Sequence, residues 1–232
     1  MASEQKLTVT RAKRLKQMMQ MKHIQRGICD QCGLETVEEN IESEGLQIPI
    51  MDPDTGKPTN LSLMDYLRQF HKDKVEVRCE STECMEQQDL NLQLGQACDQ
   101  TRTRAMKITQ SPDMLWIQLK RFDNYGRKLT NDVPFLEELD LTEFTDDSKE
   151  LRYRLYGVIG HAGESVNSGH YLAAVRNSDG NSFATINESA VKQSDRSGHE
   201  ELQTPRFHGR KEYPPYVLFY MNLDRDEGET ED

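Results

Sequence analysis

The chain has 232 residues, of which 35% are hydrophobic, and a formal net charge of −11. That length can bury a sizeable core while leaving parts of the chain as solvated excursions. The charge is uneven: seven basic residues between Lys6 and Arg26 face Glu4 alone, so residues 1–26 carry +6 and the remainder −17. This argues against nucleic acid as the main partner and suits a basic protein ligand. No apolar run approaches the roughly 20 residues of a bilayer span, which excludes a membrane partner of that kind. The first thirty residues hold no secretory segment, so an intracellular chain, in cytoplasm or nucleus, is expected, with disulfides disfavoured.

In chain order, Ala12, Leu15, Met18 and Met19 recur at helical spacing, and residues 1–26 read as a basic helical arm. Its TRAKRLK run is also compatible with nuclear import. Two cysteine loops follow, Cys29-Asp-Gln-Cys32 and Cys79-Glu-Ser-Thr-Glu-Cys84, with 46 residues between them. Four thiolates in two tight loops suit tetrahedral zinc, so Cys29, Cys32, Cys79 and Cys84 are the expected ligands of one structural Zn2+. Cys98 stands outside this pairing and reads as a partly buried bystander thiol.

Leu46 to Ile50 reads as a short strand, followed by the turn-rich MDPDTGKPTN. Ser62 is placed to cap a helix through Phe70, with Asp65 completing a capping box and Leu63, Tyr66, Leu67 and Phe70 on one face. Strands are expected at Val75–Cys79, Asp89–Leu94, Thr103–Thr109 and Leu115–Phe122, with Leu115, Ile117 and Leu119 as a core stripe. The terminal DRDEGETED is an acidic tail expected to be disordered.

The run SGHYLAAVR, Ser168 to Arg176, presents His170 at the start of an alternating strand. Asp179-Gly180 is the strongest hairpin signal in the chain. A turn centred there puts Ser189 or Asn187 opposite His170, and either way Asn187 falls on the histidine's face, roughly 5 to 8 Å away between Cβ atoms. An amide oxygen there could orient the imidazole, leaving its other nitrogen to take a proton from a nucleophile. Cys-His-Asn is one form of that triad. A surface histidine on a hairpin is the plainer alternative.

SGHYLAAVR followed by FATINESAV resembles the histidine box of the ubiquitin-specific proteases, papain-like cysteine deubiquitinases. Upstream, SPDMLWIQLKRF is similar to that family's Pro-x-x-Leu-x-x-x-Leu-Lys-Arg-Phe strand and KLTNDVPF with LDL to the strand after it, and YRLYGVIGHAG and PPYVLFY complete the series in family order across Arg26 to Tyr220. The family's aspartate after the asparagine is Glu188 here, its usual tryptophan at the hairpin return is absent, and no Gly-x-x-Cys-Tyr-x-Asn-Ser nucleophile box occurs. The resemblance implies an α+β chain: a mostly antiparallel palm and fingers of a papain-like fold, with the helical thumb largely missing. Residues 27–110 would form zinc-ribbon-like fingers with a connecting helix, and 111–223 the palm. It further implies His170 and Asn187 as catalytic residues, ubiquitin and ubiquitinated proteins as partners, and a deubiquitinase incomplete without its cysteine. A non-catalytic ubiquitin-binding or scaffold module is the alternative, and a zinc-stabilised domain unrelated to ubiquitin a third.

Overall fold

A computed structural model describes residues 12–52, 55–93, 100–165, 168–193, 206–207 and 211–224. Residues 1–11 of the arm, Leu94, Cys98 and residues 225–232 of the tail lie outside the described residues. Among the described residues no helix is long and apolar enough to cross a membrane.

The chain is α+β, and most of its pairing is antiparallel. A four-stranded fingers sheet runs β2-β1-β5-β4, built from β1 (Met21–Cys29), β2 (Glu35–Ser43), β4 (Lys72–Glu76) and β5 (Thr101–Gln110). The palm sheet runs β11-β10-β9-β8-β14-β6-β3. Its strands are β3 (Leu46–Pro49), β6 (Met114–Lys120), β8 (Arg152–Ser165), β9 (Ser168–Arg176), β10 (Phe183–Asn187), β11 (Ala190–Gln193) and β14 (Pro215–Asn222), with β7 (Glu138–Asp140) paired to β8. β3 joins β6 in parallel register. The short strands β12 (Arg206–Phe207) and β13 (Lys211–Glu212) pair with each other. Helix α1 covers residues 12–19, α2 Leu63–His71 and α3 Thr82–Gln93.

The palm follows the apolar alternation of its sequence. Leu115, Ile117 and Leu119 of β6 are buried with Tyr153 and Leu155 of β8 and Leu218 and Tyr220 of β14 in one core cluster. α2 closes that core from the side. Ser62 accepts the Asp65 N–H and Asp65 accepts the Ser62 N–H, a complete capping box, and Leu63, Tyr66 and Leu67 point inward.

Four expectations shift. The helical spacing of Ala12 to Met19 is helix α1, but residues 21–26 are strand rather than its continuation, because β1 is hydrogen-bonded on both edges, by β2 and β5. Asp89–Gln93 belongs to α3, whose start is set upstream by Ser81 accepting the Cys84 N–H at 3.2 Å. Val75–Cys79 gives way to β4, which begins at Lys72 and ends at Glu76, freeing Cys79 to turn toward the other cysteines. KLTNDVPF is largely irregular. There the carbonyls of Leu129 and Asn131 accept from Nη1 of buried Arg121, at 3.2 and 2.9 Å, in place of a ladder.

His71 ends α2 at the seam between the sheets. It is 4% exposed, stacked on Phe144 at 4.4 Å, and its Nδ1 donates to the Met106 carbonyl of β5 at 2.9 Å. Burial holds its pKa down to about 4 against an ordinary 6.5. The folded state therefore binds the proton less readily than the unfolded chain. Stability from this site is full above about pH 6.5 and drains as pH falls from there toward 4, by up to about 1.4 kcal/mol per pH unit. His71→Phe keeps the stacking but cannot titrate. Urea unfolding at about pH 7.5 and about pH 5 should show a smaller acid-induced loss for the variant than for the parent. Equal losses would show that His71 is not the titrating group.

Candidate active site and metal centre

The β9–β10 hairpin is built by its turn. Asp179 accepts backbone N–H groups from Asn181 at 2.9 Å and Ser182 at 2.8 Å, Gly180 adopts a left-handed φ of 72°, and the Asn177 N–H donates to the Ser182 carbonyl at 2.9 Å. Arg176 fastens the turn by donating from Nη1 to the Gly180 carbonyl at 2.7 Å. The resulting register pairs Arg176 with Phe183 and Ala173 with Ile186. Continued by one step it sets Asn187 opposite Leu172, so His170 is the diagonal neighbour of Asn187 on the same face.

The two side chains meet: His170 Nε2 is hydrogen-bonded to Asn187 Oδ1. An amide oxygen only accepts, so Nε2 carries the proton, and in the neutral ring Nδ1 is left with a bare lone pair. Both residues are half-buried. Tyr213, 5% exposed, packs edge-on to the imidazole at 6.0 Å between centroids. Glu188 occupies the two-residue turn to β11, exposed and with a left-handed φ of 52°, outside the His170–Asn187 hydrogen bond.

Behind His170 lies an aromatic group centred on His161. The His161 ring, 2% exposed, packs at 4.7 Å from Tyr171, 5.8 Å from Phe122 and 6.0 Å from Tyr216. It lies directly over Gly169: a Cβ there would fall 2.0 Å from His161 Nε2 and 2.8 Å from the Ala162 carbonyl oxygen. Glycine precedes the histidine because a neighbouring ring fills the space of a side chain.

Cys29, Cys32, Cys79 and Cys84 converge at the tip of the fingers, their sulfurs all within 4.8 Å of one another. Cys29 lies 3.8 Å from Cys84, and Cys32 lies 3.7 Å from Cys79. A disulfide is about 2.05 Å long. In a tetrahedral thiolate shell with metal–sulfur bonds of about 2.3 Å, by contrast, neighbouring sulfurs are about 3.8 Å apart. The four cysteines thus form a site that can hold a metal ion. The long second loop fits because it contains a helix start: Ser81 caps α3, which places Cys84 in the first turn, and the Ser81 hydroxyl donates to Cys32 Sγ at 3.2 Å. The Ser81 backbone N–H holds the Cys79 thiol below the ordinary thiol range, while burial and the neighbouring thiols push that of Cys84 up.

Sequence reasoning missed the polar groups around this cluster. In the first loop, Asp30 accepts from Thr101 Oγ1 at 2.6 Å, Thr103 Oγ1 at 2.8 Å and Lys74 at 3.1 Å. Those contacts, Thr101 foremost, hold its carboxyl down at about 2. Gln88 and Gln100, 7% and 6% exposed, lie against the second loop. Buried amides flanking a cysteine loop were the available signal, but only their placement on α3 and β5 reveals it.

A family model described as ubiquitin carboxyl-terminal hydrolase matches residues 3–220. The chain belongs to the ubiquitin carboxyl-terminal hydrolase family. It is 34% identical over 135 residues to ubiquitin carboxyl-terminal hydrolase 4 of Arabidopsis thaliana, a match covering 53% of this chain and 35% of that protein. It is 35% identical over 95 residues to ubiquitin carboxyl-terminal hydrolase 36 of Drosophila melanogaster, covering 39% of this chain and 9% of the relative. The fold is similar to a chain of the yeast SAGA DUB module, with a TM-score of 0.65 and 22% identity over 90% of this chain and 42% of that one. The same TM-score, at 23% identity, relates it to the SAGA DUB module of Ubp8, Sgf11, Sus1 and Sgf73 bound to monoubiquitin, again over 90% of this chain and 42% of that one. The chain spans about a third of the Arabidopsis relative and less than half of these solved chains.

Gly169→Ala forces either the buried His161 ring or the strand bearing His170 to move. It should cost about 1–3 kcal/mol of stability and shift the His170 imidazole resonances in an NMR spectrum. A variant as stable as the parent with unmoved His170 signals would overturn the packing account.

Proposed function

We propose that this chain is the palm-and-fingers portion of a thiol-dependent ubiquitin carboxyl-terminal hydrolase that removes ubiquitin from proteins. In this reading His170 is the general base, Asn187 the amide that orients it, and Cys29, Cys32, Cys79 and Cys84 hold a structural zinc ion. The His170–Asn187 hydrogen bond carries the proposal, because it commits Nε2 and presents Nδ1 as a proton acceptor. Ubiquitin as partner is supported by family membership and by the related module solved with monoubiquitin. Zinc would cross-link the fingers and take no part in the chemistry.

Among the described residues no cysteine lies beside His170, since the four that are described make up the fingertip cluster. The nucleophile in this proposal is a cysteine supplied from elsewhere. His170 Nδ1 takes the thiol proton, and the imidazolium is held by the Asn187 oxygen at Nε2. The thiolate attacks the carbonyl of the terminal ubiquitin glycine. As the tetrahedral adduct collapses, the imidazolium returns the proton to the leaving lysine amine, leaving a thioester. The same nitrogen then deprotonates the water that hydrolyses it. The sequence carries no Gly-x-x-Cys-Tyr-x-Asn-Ser box, which leaves a second reading, a ubiquitin-binding or scaffold module without activity of its own.

A fluorogenic ubiquitin substrate and a thiol-reactive ubiquitin probe, each applied to the chain alone, should give no turnover and no adduct. Adding a family thumb segment that carries a cysteine box should restore cleavage, and His170→Ala in the mixture should abolish it, a loss of at least about 10³-fold. Ubiquitin binding without restored cleavage would favour the scaffold reading. Turnover by the chain alone with labelling of Cys98 would sink the assignment of the site. Separately, metal analysis of chelator-free protein should give about one zinc per chain, and Cys79→Ser should release it where Cys98→Ser does not.

A further inference from the structure

We propose that Gln100 is the positioning residue of the cysteine cluster: its one side-chain amide fastens the second cysteine loop at both of its cysteines, links it to the first loop, and so sets how tightly the metal is held. The inference rests on the reading of the cluster as a metal site.

Gln100 precedes β5 and is 6% exposed. Its Oε1 accepts the Cys79 N–H at 2.9 Å and Nε2 of Gln88 at 2.5 Å, and its Nε2 donates to the Cys84 carbonyl at 3.1 Å and to Oε1 of Gln31 at 3.3 Å. Two accepted and two donated bonds use the whole capacity of an amide. Gln88 also donates to the Cys79 carbonyl at 3.2 Å, so both peptide groups flanking Cys79 are held by buried glutamines. The next residues of the same strand hold the first loop. Thr101 and Thr103 donate to the Asp30 carboxylate, and the Asp30 N–H donates to the Thr101 carbonyl at 3.0 Å. Residues 100–103 therefore tie both loops to one rigid strand.

The energetic argument is preorganisation. Loops that the metal must order by itself lose conformational freedom on binding, whereas loops already hydrogen-bonded to a strand do not. Groups that orient metal ligands without touching the metal typically account for about 10- to 100-fold in affinity. Gln100 touches the backbone of two ligands, Gln88 that of one, and the exposed Gln31 neither. The effects should fall in that order.

The experiment measures zinc affinity by chelator competition on the whole chain, with the absorption of the cobalt-substituted protein as a report on tetrahedral thiolate ligation. Gln100→Met, similar in size but unable to make these bonds, should weaken zinc binding by about 10- to 100-fold and alter the cobalt bands. Gln88→Met should weaken it less, and Gln31→Ala by no more than about threefold. Leu155→Ala, which damages the palm core, should lower overall stability yet leave zinc affinity unchanged, separating metal positioning from general loss of fold. If Gln100→Met does not fold, the ranking of Gln88→Met above Gln31→Ala still decides. A folded Gln100→Met with affinity equal to the parent, in a parent holding about one zinc, would refute the role of Gln100, as would, where Gln100→Met does not fold, a Gln88→Met no weaker than Gln31→Ala. A parent that takes up no metal at all would overturn the metal reading, and this inference with it.

Discussion

The register of one hairpin governs the candidate catalytic pair. Side chains on a strand alternate faces, so a slip of a single residue between β9 and β10 would send Asn187 to the opposite face from His170. Nothing in either side chain prevents that slip. The turn does, through the Asp179 carboxylate bonded to two following amides and the left-handed Gly180. Arg176 then binds the turn to the body of the sheet. Its Nη1 holds the Gly180 carbonyl, its Nε the Leu155 carbonyl of β8 at 3.1 Å and its Nη2 Glu137, while the guanidinium lies 4.6 Å over the Phe183 ring. A change at Arg176 would therefore reach the site through geometry, without any contact to His170.

Arg121 does similar work at the other end of the sheet. It is 2% exposed, and its Nε donates to the Pro215 carbonyl at 2.5 Å in addition to the two carbonyls of the Leu129–Asn131 segment. Burial pulls its pKa down, yet a guanidinium remains charged in proteins. Burying that charge is tolerable only because backbone oxygens receive it. The same guanidinium bonds the carbonyls of the irregular Leu129–Asn131 segment and that of Pro215, and so ties this connection to β14.

Much of this was legible in the sequence wherever a local rule and a long-range one agreed. The capping box at Ser62, the apolar stripe of β6 and the parity of His170 and Asn187 follow from periods of 3.6 and 2 and from one turn. Residues 21–26 misled because the helical spacing of Ala12 to Met19 was carried on to Arg26, whereas the two strand partners of this stretch are distant in sequence. β2 carried no signal at all: Glu35 to Ser43 has no buried face, and backbone pairing with β1 holds it. The packing of His161 on Gly169, and the glutamines at the cysteine loops, exist only across elements far apart in the chain. Composition could not have announced them.

The two sheets are stabilised by different physics, and the cysteine cluster follows from that. The palm buries a continuous apolar core into which α2 also packs. Most of the fingers sheet has no such core: β2 is exposed along most of its length, and β4 has no buried residue. At its tip the buried apolar cluster among the described residues is Cys29, Cys79 and Cys84, packed with Cys32. Three or four thiols cannot supply by apolar burial what a large core supplies, since each contributes only a small side chain. A cation bound by four thiolates can, because such ligation contributes about 10 to 16 kcal/mol in small zinc domains. Two loops that meet far from the palm core, each tied to one end of the same sheet, are where a cross-link of that strength is needed. In the proposed reading the fingers would keep their shape through coordination, as the palm does through burial.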